Sequence, residues 1–260
     1  MAKVISITNQ KGGVGKTTTS INLAASLVKR GQRILLIDMD PQGNATVGCG
    51  VEPDDIENTI YDVLLGESTA AEAIVKSACG VDVMSANGEL AGAQVELLNE
   101  IGRELRLQKA LAKQLNNYDY IFIDCPPALN VLTINALVAS DSVLIPMQCE
   151  YFALEGLSAL ISTVRKIRET LNPKLSVEGL LRTMFDKRNS LSGEVSRQLE
   201  SHFGDKVYET VVPRNVRLAE APSYGEPALE YAPTSKGARA YLWLADEILQ
   251  KAQTAKSKQA

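Results

Sequence analysis

The stretch KGGVGKTT, at residues 11–18, decides the fold of this 260-residue chain. It matches the phosphate-loop pattern G-x-x-x-x-G-K-[ST], with Asn9 and Gln10 standing where the pattern has its first glycine. An apolar run at residues 4–8 predicts a strand before it, and apolar residues at helical spacing predict a helix over residues 17–30. A glycine-rich turn between a strand and a helix presents backbone N–H groups to phosphate oxygens. The stretch therefore predicts a nucleotide-binding α/β fold.

The residues of this loop have distinct predicted roles. Lys16 supplies positive charge to the β- and γ-phosphates, the Thr17 hydroxyl is a ligand for Mg²⁺, and Thr18 contacts the α-phosphate. The predicted cofactors are therefore ATP and Mg²⁺. The predicted nucleotide-binding residues of the loop are Lys11, Gly12, Gly13, Val14, Gly15, Lys16, Thr17 and Thr18.

The loop carries a second lysine, Lys11, five residues before Lys16. A lysine at the start of the loop lies too far round to reach the γ-phosphate of its own nucleotide easily. We interpret it as a residue that reaches the phosphates of a nucleotide bound by a partner subunit. Lys11 therefore indicates a homodimer that forms when ATP is bound.

Three aspartates at strand ends complete the expected site. Asp124 ends the apolar run YIFID, Asp38 ends another apolar run, and Asp40 follows two residues later. Strand alternation puts Asp38 and Asp40 on the same side of the chain. We predict that Asp38 and Asp124 hold Mg²⁺ through water and that Asp40 orients the attacking water. Aspartates at such positions also serve as helix caps or solvated turn residues, so the prediction depends on the neighbouring phosphate loop.

The composition argues against several other classes of protein. Hydrophobic residues make up 45% and charged residues 22% of the chain, as in an ordinary soluble globular protein. The four cysteines form no C-x-x-C pair and there is one histidine, so no zinc site is expected. A net charge of −4 argues against constitutive binding to nucleic acid. No apolar stretch approaches ~20 residues and no signal peptide is recognised, so we expect a cytoplasmic protein.

Strand and helix signals alternate along the chain. They predict a doubly wound α/β fold with a mostly parallel sheet flanked by helices. We expect one domain over residues 1–252 and a polar, disordered tail over residues 253–260. Short helices are predicted over residues 54–76, one long amphipathic helix over residues 90–115, and a closing helix over residues 235–252.

Four stretches together resemble the deviant-Walker ATPases, and most closely the bacterial chromosome- and plasmid-partitioning ATPases of the ParA/Soj type. They are residues 11–19, 37–46, 121–127 and 212–227. The resemblance extends over roughly residues 2–250, and the last stretch is the more specific signal for the partitioning branch. It implies an ATP-sandwich dimer in which Lys11 acts across the interface and Asp40 positions the hydrolytic water. It also implies that Asp38 lies in the first switch and Asp124 in the second.

The resemblance implies further contacts and partners. Met184, Pro213, Arg214 and Asn215 match the region that binds the adenine and its nucleotide. In this family the ATP-bound dimer binds double-stranded DNA without sequence preference, and a ParB-like centromere-binding partner stimulates an otherwise slow hydrolysis. The protein is then expected on the nucleoid and not on a membrane. The matching DNA-binding positions are Arg188 and Arg217, followed by Lys187, Arg214, Lys236 and Arg239.

The charge pattern permits this interpretation, because residues 182–217 hold seven Lys or Arg and five acidic residues in a chain of net charge −4. Three alternatives remain open. A MinD-like division-site regulator would share the nucleotide site but needs a membrane-binding terminal helix, and residues 249–258 have almost no apolar face. An iron–sulfur ATPase would need cluster thiolates such as Cys125 or Cys149. A non-enzymatic module would bind ATP only structurally, whereas Asp40 favours an ATPase.

Overall fold

The computed structural model describes residues 1–257, and a single sheet runs through that part of the protein. Its strands are β1 (Lys3–Ile7), β2 (Ile34–Asp38), β3 (Ile74–Lys76), β4 (Asp82–Met84), β5 (Tyr120–Asp124), β6 (Ser142–Gln148), β7 (Ser176–Phe185) and β8 (Val207–Pro213). Their spatial order is β3-β4-β2-β5-β1-β6-β7-β8. Every neighbouring pair is parallel except β3 and β4.

Helices cover both faces of this sheet. The α-helices are α1 (Lys16–Lys29), α2 (Asn44–Gly48), α3 (Ile60–Leu65), α4 (Leu90–Glu96), α5 (Arg106–Leu111), α6 (Val131–Ala139), α7 (Ala153–Thr170), α8 (Ser190–Phe203), α9 (Val216–Glu220), α10 (Ala228–Tyr231) and α11 (Lys236–Ser257). One apolar cluster joins the sheet to α1 and α11, a second joins it to α3–α6, and a third joins β6 and β7 to α7 and α8. The predicted doubly wound, mostly parallel α/β fold is therefore confirmed.

Strand β2 shows how the sequence produces these two layers. All five of its residues are buried. Ile34 and Leu36 pack into the cluster under α1, whereas Leu35 and Ile37 pack into the cluster under α3–α6. Successive side chains of a strand point to opposite faces, so a strand between two helical layers must be apolar at every position.

The central strands end together at one edge of the sheet. Asp124 at the end of β5 is aligned with Ile7 of β1 on one side and with Asp38 of β2 on the other. Because the strands are parallel, the segments that follow all three leave from this edge. The phosphate loop, Asp40 and the segment after Asp124 are therefore brought together by the sheet.

The prediction of short helices over residues 54–76 is wrong at its C-terminal end. The α3 helix lies in this stretch, but Ile74–Lys76 forms β3, which pairs antiparallel with β4. The turn between the two strands contains Gly80 with φ of +78°. A strand of three residues is too short to give a recognisable alternation in sequence.

The prediction of one long helix over residues 90–115 is also wrong. The chain is extended at Glu100 and left-handed at Gly102, where φ is +69°, so α4 and α5 are separate helices. Each half keeps its own buried face, with Leu90 and Leu107 fully enclosed. Apolar periodicity predicted both halves, but it gave no sign of the break between them.

The closing helix extends further than predicted. We predicted its end at residue 252, whereas α11 continues to Ser257. It thus includes the first part of the segment for which a disordered tail was predicted, and residues 258–260 lie outside the described residues. We propose that residues 1–252 form one domain, because the strands from β1 to β8 belong to a single sheet.

Gly179 in β7 leaves room for the ring of Tyr208 in β8, and its replacement should destabilise the fold. A Cβ at this position would lie 2.5 Å from Cε2 of Tyr208, whose side chain is fully buried. We expect Gly179→Ala to lower the free energy of unfolding by about 1–3 kcal/mol in urea titrations, because the packed core must shift. The control is Gly156→Ala in α7, where a Cβ meets nothing within 4 Å. That change should be neutral or stabilising by about 1 kcal/mol, and equal effects of the two substitutions would contradict the packing.

Candidate nucleotide site

Two left-handed glycines shape the predicted phosphate loop. Gly13 and Gly15 have φ of +70° and +87°, a region that residues with side chains rarely adopt. Helix α1 begins directly after them at Lys16, and the Thr19 N–H donates to the Gly15 carbonyl at 2.9 Å. The loop therefore leads into the positively polarised end of a 14-residue helix, which favours bound phosphate.

A cavity of about 320 Å³ opens over this loop. Its walls are formed by Gly12, Gly13, Gly15, Lys16, Thr17, Thr18, Asp40, Asn44, Pro127 and Met184. The Lys16 side chain is buried, and its ammonium group donates to the Lys11 carbonyl at 3.4 Å. Burial lowers the pKa of Lys16, and the negative charges of Asp124 and Asp40 counteract that shift. The predicted phosphate ligand and the predicted water-orienting carboxylate thus lie at one cavity.

Asp124 joins the sheet to α1 below this cavity. Its carboxylate is fully buried and accepts hydrogen bonds from the Thr17 and Ser20 hydroxyls, each at 2.7 Å. Burial raises the pKa of Asp124, and the neighbouring Asp38 carboxylate raises it further. Ser20 is not among the predicted site residues, although its position three residues after Thr17 puts it on the same face of the helix.

The oxygen atoms of Thr17 and its surroundings fit the ligands of a magnesium ion. The Thr17 hydroxyl donates a hydrogen bond to Asp124, which leaves the oxygen lone pairs of Thr17 for a cation at the loop. Within the described residues, three or more His, Cys, Asp or Glu side chains nowhere gather around a possible metal position. The protein would therefore supply few ligands, and phosphate and water oxygens would complete the shell, as is usual for Mg²⁺.

Asp38 tethers the loop that carries Asp40. It is fully buried, and its carboxylate accepts from the backbone N–H and the hydroxyl of Thr46, both at 2.9 Å. It also accepts from the Asp40 N–H at 3.1 Å. Asp40 itself is half-buried at the cavity. The two carboxylates predicted to lie on one side of the chain are therefore in different surroundings, and Asp38 supports the segment from which Asp40 faces the cavity.

A second cavity, of about 300 Å³, contains the predicted adenine-side residues. Met184, Pro213, Arg214 and Asn215 all line it. The other lining residues are Gly15, Thr18, Thr183, Val212, Val216, Leu218, Ala219 and Tyr241. The walls are mainly apolar, as a planar base requires, and the loop residues Gly15 and Thr18 connect this cavity to the phosphate loop.

Thr183 and Tyr241, which were not predicted as site residues, connect the walls of the second cavity to the phosphate loop and to α1. The Thr183 hydroxyl donates to the Val14 carbonyl at 2.7 Å. The hydroxyls of Tyr241 and Thr19 are hydrogen-bonded at 3.0 Å. Thr183 could have been inferred from its place beside Met184, but nothing local marks Tyr241, which is 222 residues from Thr19.

Lys11 is directed away from the phosphate cavity of its own chain. Its ammonium group pairs with a carboxylate oxygen of Glu150 at 2.5 Å, and both side chains are about half exposed. The Lys11 N–H donates to the Asn9 carboxamide at 3.0 Å, and that carboxamide in turn donates to the Pro146 carbonyl at 2.8 Å. The start of the loop is thus fixed against the end of β6, while the Lys11 side chain remains at the surface.

The predicted DNA-binding residues are exposed, and acidic neighbours neutralise part of their positive charge. Arg188 makes two hydrogen bonds to Asp186, at 3.0 and 2.9 Å, and they lower the pKa of Asp186 to about 2. Arg217 pairs with Glu220 at 2.7 Å on α9. Arg214 lies close enough to Asp186 to add to the lowering of its pKa, and it also lines the second cavity. Arg188 and Arg214 therefore both lie near Asp186, whereas Arg217 has Glu220 as its acidic partner. Lys187 is exposed, and Lys236 and Arg239 lie in the first turn of α11.

The structure bears on the iron–sulfur alternative. Cys125 and Cys149 are both buried, and burial raises their thiol pKa values to about 12 and about 11. Such thiols do not fit the ligands of a cluster shared at a dimer surface. Within the described residues, every helix falls short of the length and apolar character that a membrane crossing requires.

Comparison with known proteins identifies full-length relatives. A family model described as an AAA domain matches residues 2–177. The sporulation initiation inhibitor protein Soj of Bacillus subtilis is 55% identical over 249 residues, which cover 95% of this chain and 98% of that protein. The chromosome partitioning protein ParA of Caulobacter vibrioides is 49% identical over 261 residues, with 99% and 98% covered. Among solved structures, cobyrinic acid a,c-diamide synthase from Mycobacterium smegmatis with bound ATP analog and magnesium gives a TM-score of 0.86 at 36% identity, with 98% and 97% covered.

The buried carboxyl groups of Asp38 and Asp124 make the stability of the nucleotide-free protein depend on pH. A carboxyl group with a raised pKa binds its proton more tightly in the folded state than in the unfolded chain. Without Mg²⁺, the free energy of unfolding should therefore rise as the pH falls from 8 to 6, by up to ~1.4 kcal/mol per pH unit for each proton taken up. Urea titrations in a chelating buffer measure this dependence. Asp124→Asn should flatten it, and identical pH dependence in both proteins would contradict the assignment.

Proposed function

This chain belongs to the ParA/Soj family of chromosome-partitioning ATPases, and from that membership we propose that it hydrolyses ATP to segregate DNA. The observation that carries the proposal at the site is the meeting of Lys16, Thr17 and Asp124 at one phosphate loop, with Asp40 at the same cavity. ATP and Mg²⁺ are its cofactors. The reaction is attack of water on the γ-phosphate, which yields ADP and phosphate.

Each residue of the site would have its own role in this reaction. Bound Mg²⁺ would neutralise charge on the β- and γ-phosphate oxygens. Lys16 adds a buried positive charge whose desolvation strengthens its attraction to phosphate. Asp124 orients the Thr17 hydroxyl by accepting a hydrogen bond from it, and the hydrogen bonds of Asp38 keep Asp40 at the cavity, where Asp40 would align the attacking water. Asp124 and Asp38 therefore act mainly by fixing geometry.

We propose that Lys11 exchanges its Glu150 partner for a phosphate of the opposite subunit when two ATP-bound copies meet. The Lys11–Glu150 pair is half exposed, so it contributes at most about 1 kcal/mol. A triphosphate offers more negative charge than one carboxylate and would displace Glu150 once the interface excludes water. ATP would then be required for pairing.

Lys11→Ala should uncouple ATP binding from dimerisation. The substitution leaves Lys16 and Thr17 unchanged, so we expect ATP affinity within about threefold of the original protein. Sedimentation with ATP should show a monomer, because the charge that crosses the interface is gone. The matched control is Lys29→Ala, an exposed lysine at the far end of α1, which should dimerise normally. An ATP-dependent dimer of the Lys11→Ala protein would refute the exchange.

We propose that the ATP-bound dimer binds double-stranded DNA through Arg188 and Arg217, supported by Lys187 and Arg214. Their neighbouring acids leave each subunit weakly basic in this region, with seven basic and five acidic residues over 182–217. Pairing would double the positive patch and make DNA affinity depend on both nucleotide and salt.

A ParB-like protein would stimulate an otherwise slow hydrolysis and release the DNA. The protein would then reside in the cytoplasm on the nucleoid.

A mobility shift with ATP, ADP or no nucleotide tests this function. We expect DNA binding with ATP alone, and Arg217→Glu should weaken it about tenfold or more because a phosphate contact becomes a repulsion. The control is Arg165→Glu, an exposed arginine on α7 outside the patch, which should bind DNA normally. Equal binding in all nucleotide states would reject the switch. ATP-dependent binding to vesicles without a DNA shift would favour the MinD-like alternative.

A further inference from the structure

Two of the four free cysteines are in contact in the structure. Cys49 caps the C-terminal end of α2, and Cys79 lies in the turn between β3 and β4. Both side chains belong to the apolar cluster under α1, where they are 1% and 8% exposed. Their thiols are hydrogen-bonded to each other. The two residues lie on different elements, so the fold brings them together.

The surroundings of Cys79 favour its thiolate form. As a thiolate, its sulfur can accept hydrogen bonds from the Cys49 thiol, from the Ser77 hydroxyl at 3.0 Å and from the Val81 N–H. Together they lower the pKa of Cys79 to about 6, although burial and the Glu230 carboxylate act in the opposite direction. The hydrogen bond to Cys79 and burial raise the pKa of Cys49. At neutral pH the pair therefore consists of one thiolate and one thiol.

The other two cysteines differ from this pair. Burial raises the thiol pKa values of Cys125 and Cys149 to about 12 and about 11. Cys125 packs in the cluster under α3–α6, and Cys149 packs in the cluster that joins β6 and β7 to α7 and α8. Each is thus separate from Cys49 and Cys79. A thiolate beside a second thiol is the arrangement of cysteine pairs that react with peroxides.

We propose that Cys49 and Cys79 form a reversible disulfide when the protein meets a hydroperoxide such as hydrogen peroxide. The Cys79 sulfur attacks one peroxide oxygen and the O–O bond breaks, which leaves a sulfenic acid on Cys79 and releases hydroxide that takes up a proton to become water. The Cys49 sulfur then attacks the sulfenic sulfur: the S–S bond forms, the S–O bond breaks, and the hydroxyl group leaves as water with the Cys49 proton. Two thiols thus lose two electrons to one peroxide molecule, and a dithiol reductant reverses the change.

The turn that carries Cys79 gives a small oxidant access to the pair. Ala78 and Gly80, on either side of Cys79, are exposed, and the turn follows the three-residue edge strand β3. Short edge segments with little buried surface open locally at low free-energy cost. Cys79 is the more exposed of the two thiols, so an oxidant that enters by the turn meets it before Cys49.

The disulfide would act on the nucleotide site through α2. The Cys49 N–H donates to the Thr46 carbonyl at 3.1 Å, and the N–H and hydroxyl of Thr46 both donate to Asp38. An S–S bond is shorter than a hydrogen bond between two thiols, so its formation draws the end of α2 toward the β3–β4 turn. The hydrogen bonds of Asp38 that hold the Asp40 loop would then be strained. This regulatory effect rests on the proposed function, because it is ATP hydrolysis that Asp40 would serve.

Peptide mapping by mass spectrometry tests the disulfide in the full chain. The folded protein is treated with hydrogen peroxide at neutral pH, digested without reductant and analysed for a peptide pair joined through Cys49 and Cys79. We expect this cross-link, with a loss of two hydrogen atoms per chain and full recovery after treatment with dithiothreitol. The same treatment in urea is the control for folding. It should distribute disulfides over all four cysteines, because the contact that selects the pair is lost.

Two variants separate the roles of the thiols. Cys49→Ala should stop at the Cys79 sulfenic acid, which dimedone traps as an adduct, whereas Cys79→Ser should give neither adduct nor cross-link. The matched control is Cys149→Ala, which removes a buried thiol from another cluster and should form the cross-link like the original chain. The proposal is overturned if the folded original chain forms no cross-link, if it oxidises all four cysteines equally, or if the disulfides join different chains.

ATP turnover is measured on the same samples. The cross-linked chain should hydrolyse ATP about twofold or more slowly, because displacement of Asp40 disturbs the alignment of the attacking water, and reduction should restore the rate. Cys79→Ser should keep its rate in peroxide. Unchanged turnover in fully cross-linked protein would overturn the regulatory effect. Absence of turnover in the reduced original chain would instead refute the proposed function, while the peptide map would still decide the disulfide.

Discussion

The buried carboxylate of Asp124 is the contact on which the site depends. It joins the end of β5 to the first turn of α1 through the hydroxyls of Thr17 and Ser20. A charged group in such a place is costly unless hydrogen bonds and a nearby cation compensate it, and Lys16 supplies the cation. Loss of any of these partners would leave a buried charge unmatched. The phosphate loop is therefore held to the sheet by the same residues that would meet Mg²⁺.

A second buried carboxylate extends this arrangement. Asp38 lies beside Asp124 in the sheet register and binds the loop that carries Asp40 and α2. Burial raises the pKa of both carboxyl groups, and the charge of Asp38 raises the pKa of Asp124 further, so the nucleotide-free site holds protons more tightly than exposed carboxyl groups do. A bound cation would remove that preference. Metal binding, loop position and proton uptake are thus linked through one pair of aspartates.

The mispredicted segments lie outside the central strands of the sheet. The run that became β3 was too short to show alternation, and the break at Gly102 left the apolar periodicity on both sides intact. Val95, Leu98 and Ile101 are exposed beside this break, whereas Leu90 and Leu107 are fully buried. A continuous helix over residues 90–115 would align one buried face along its whole length, whereas α4 and α5 each bury a face of their own.

The sequence by itself determined the phosphate loop, the central parallel strands and the aspartates at their ends, because each depends on a short, contiguous pattern. The tertiary structure decided which distant residues meet: Tyr241 with Thr19, Glu150 with Lys11, and the walls of the second cavity from β7, β8, α9 and α11. Such contacts join positions up to 222 residues apart. No local periodicity encodes them, since they arise only when the strands take their order in the sheet and the helices pack against it.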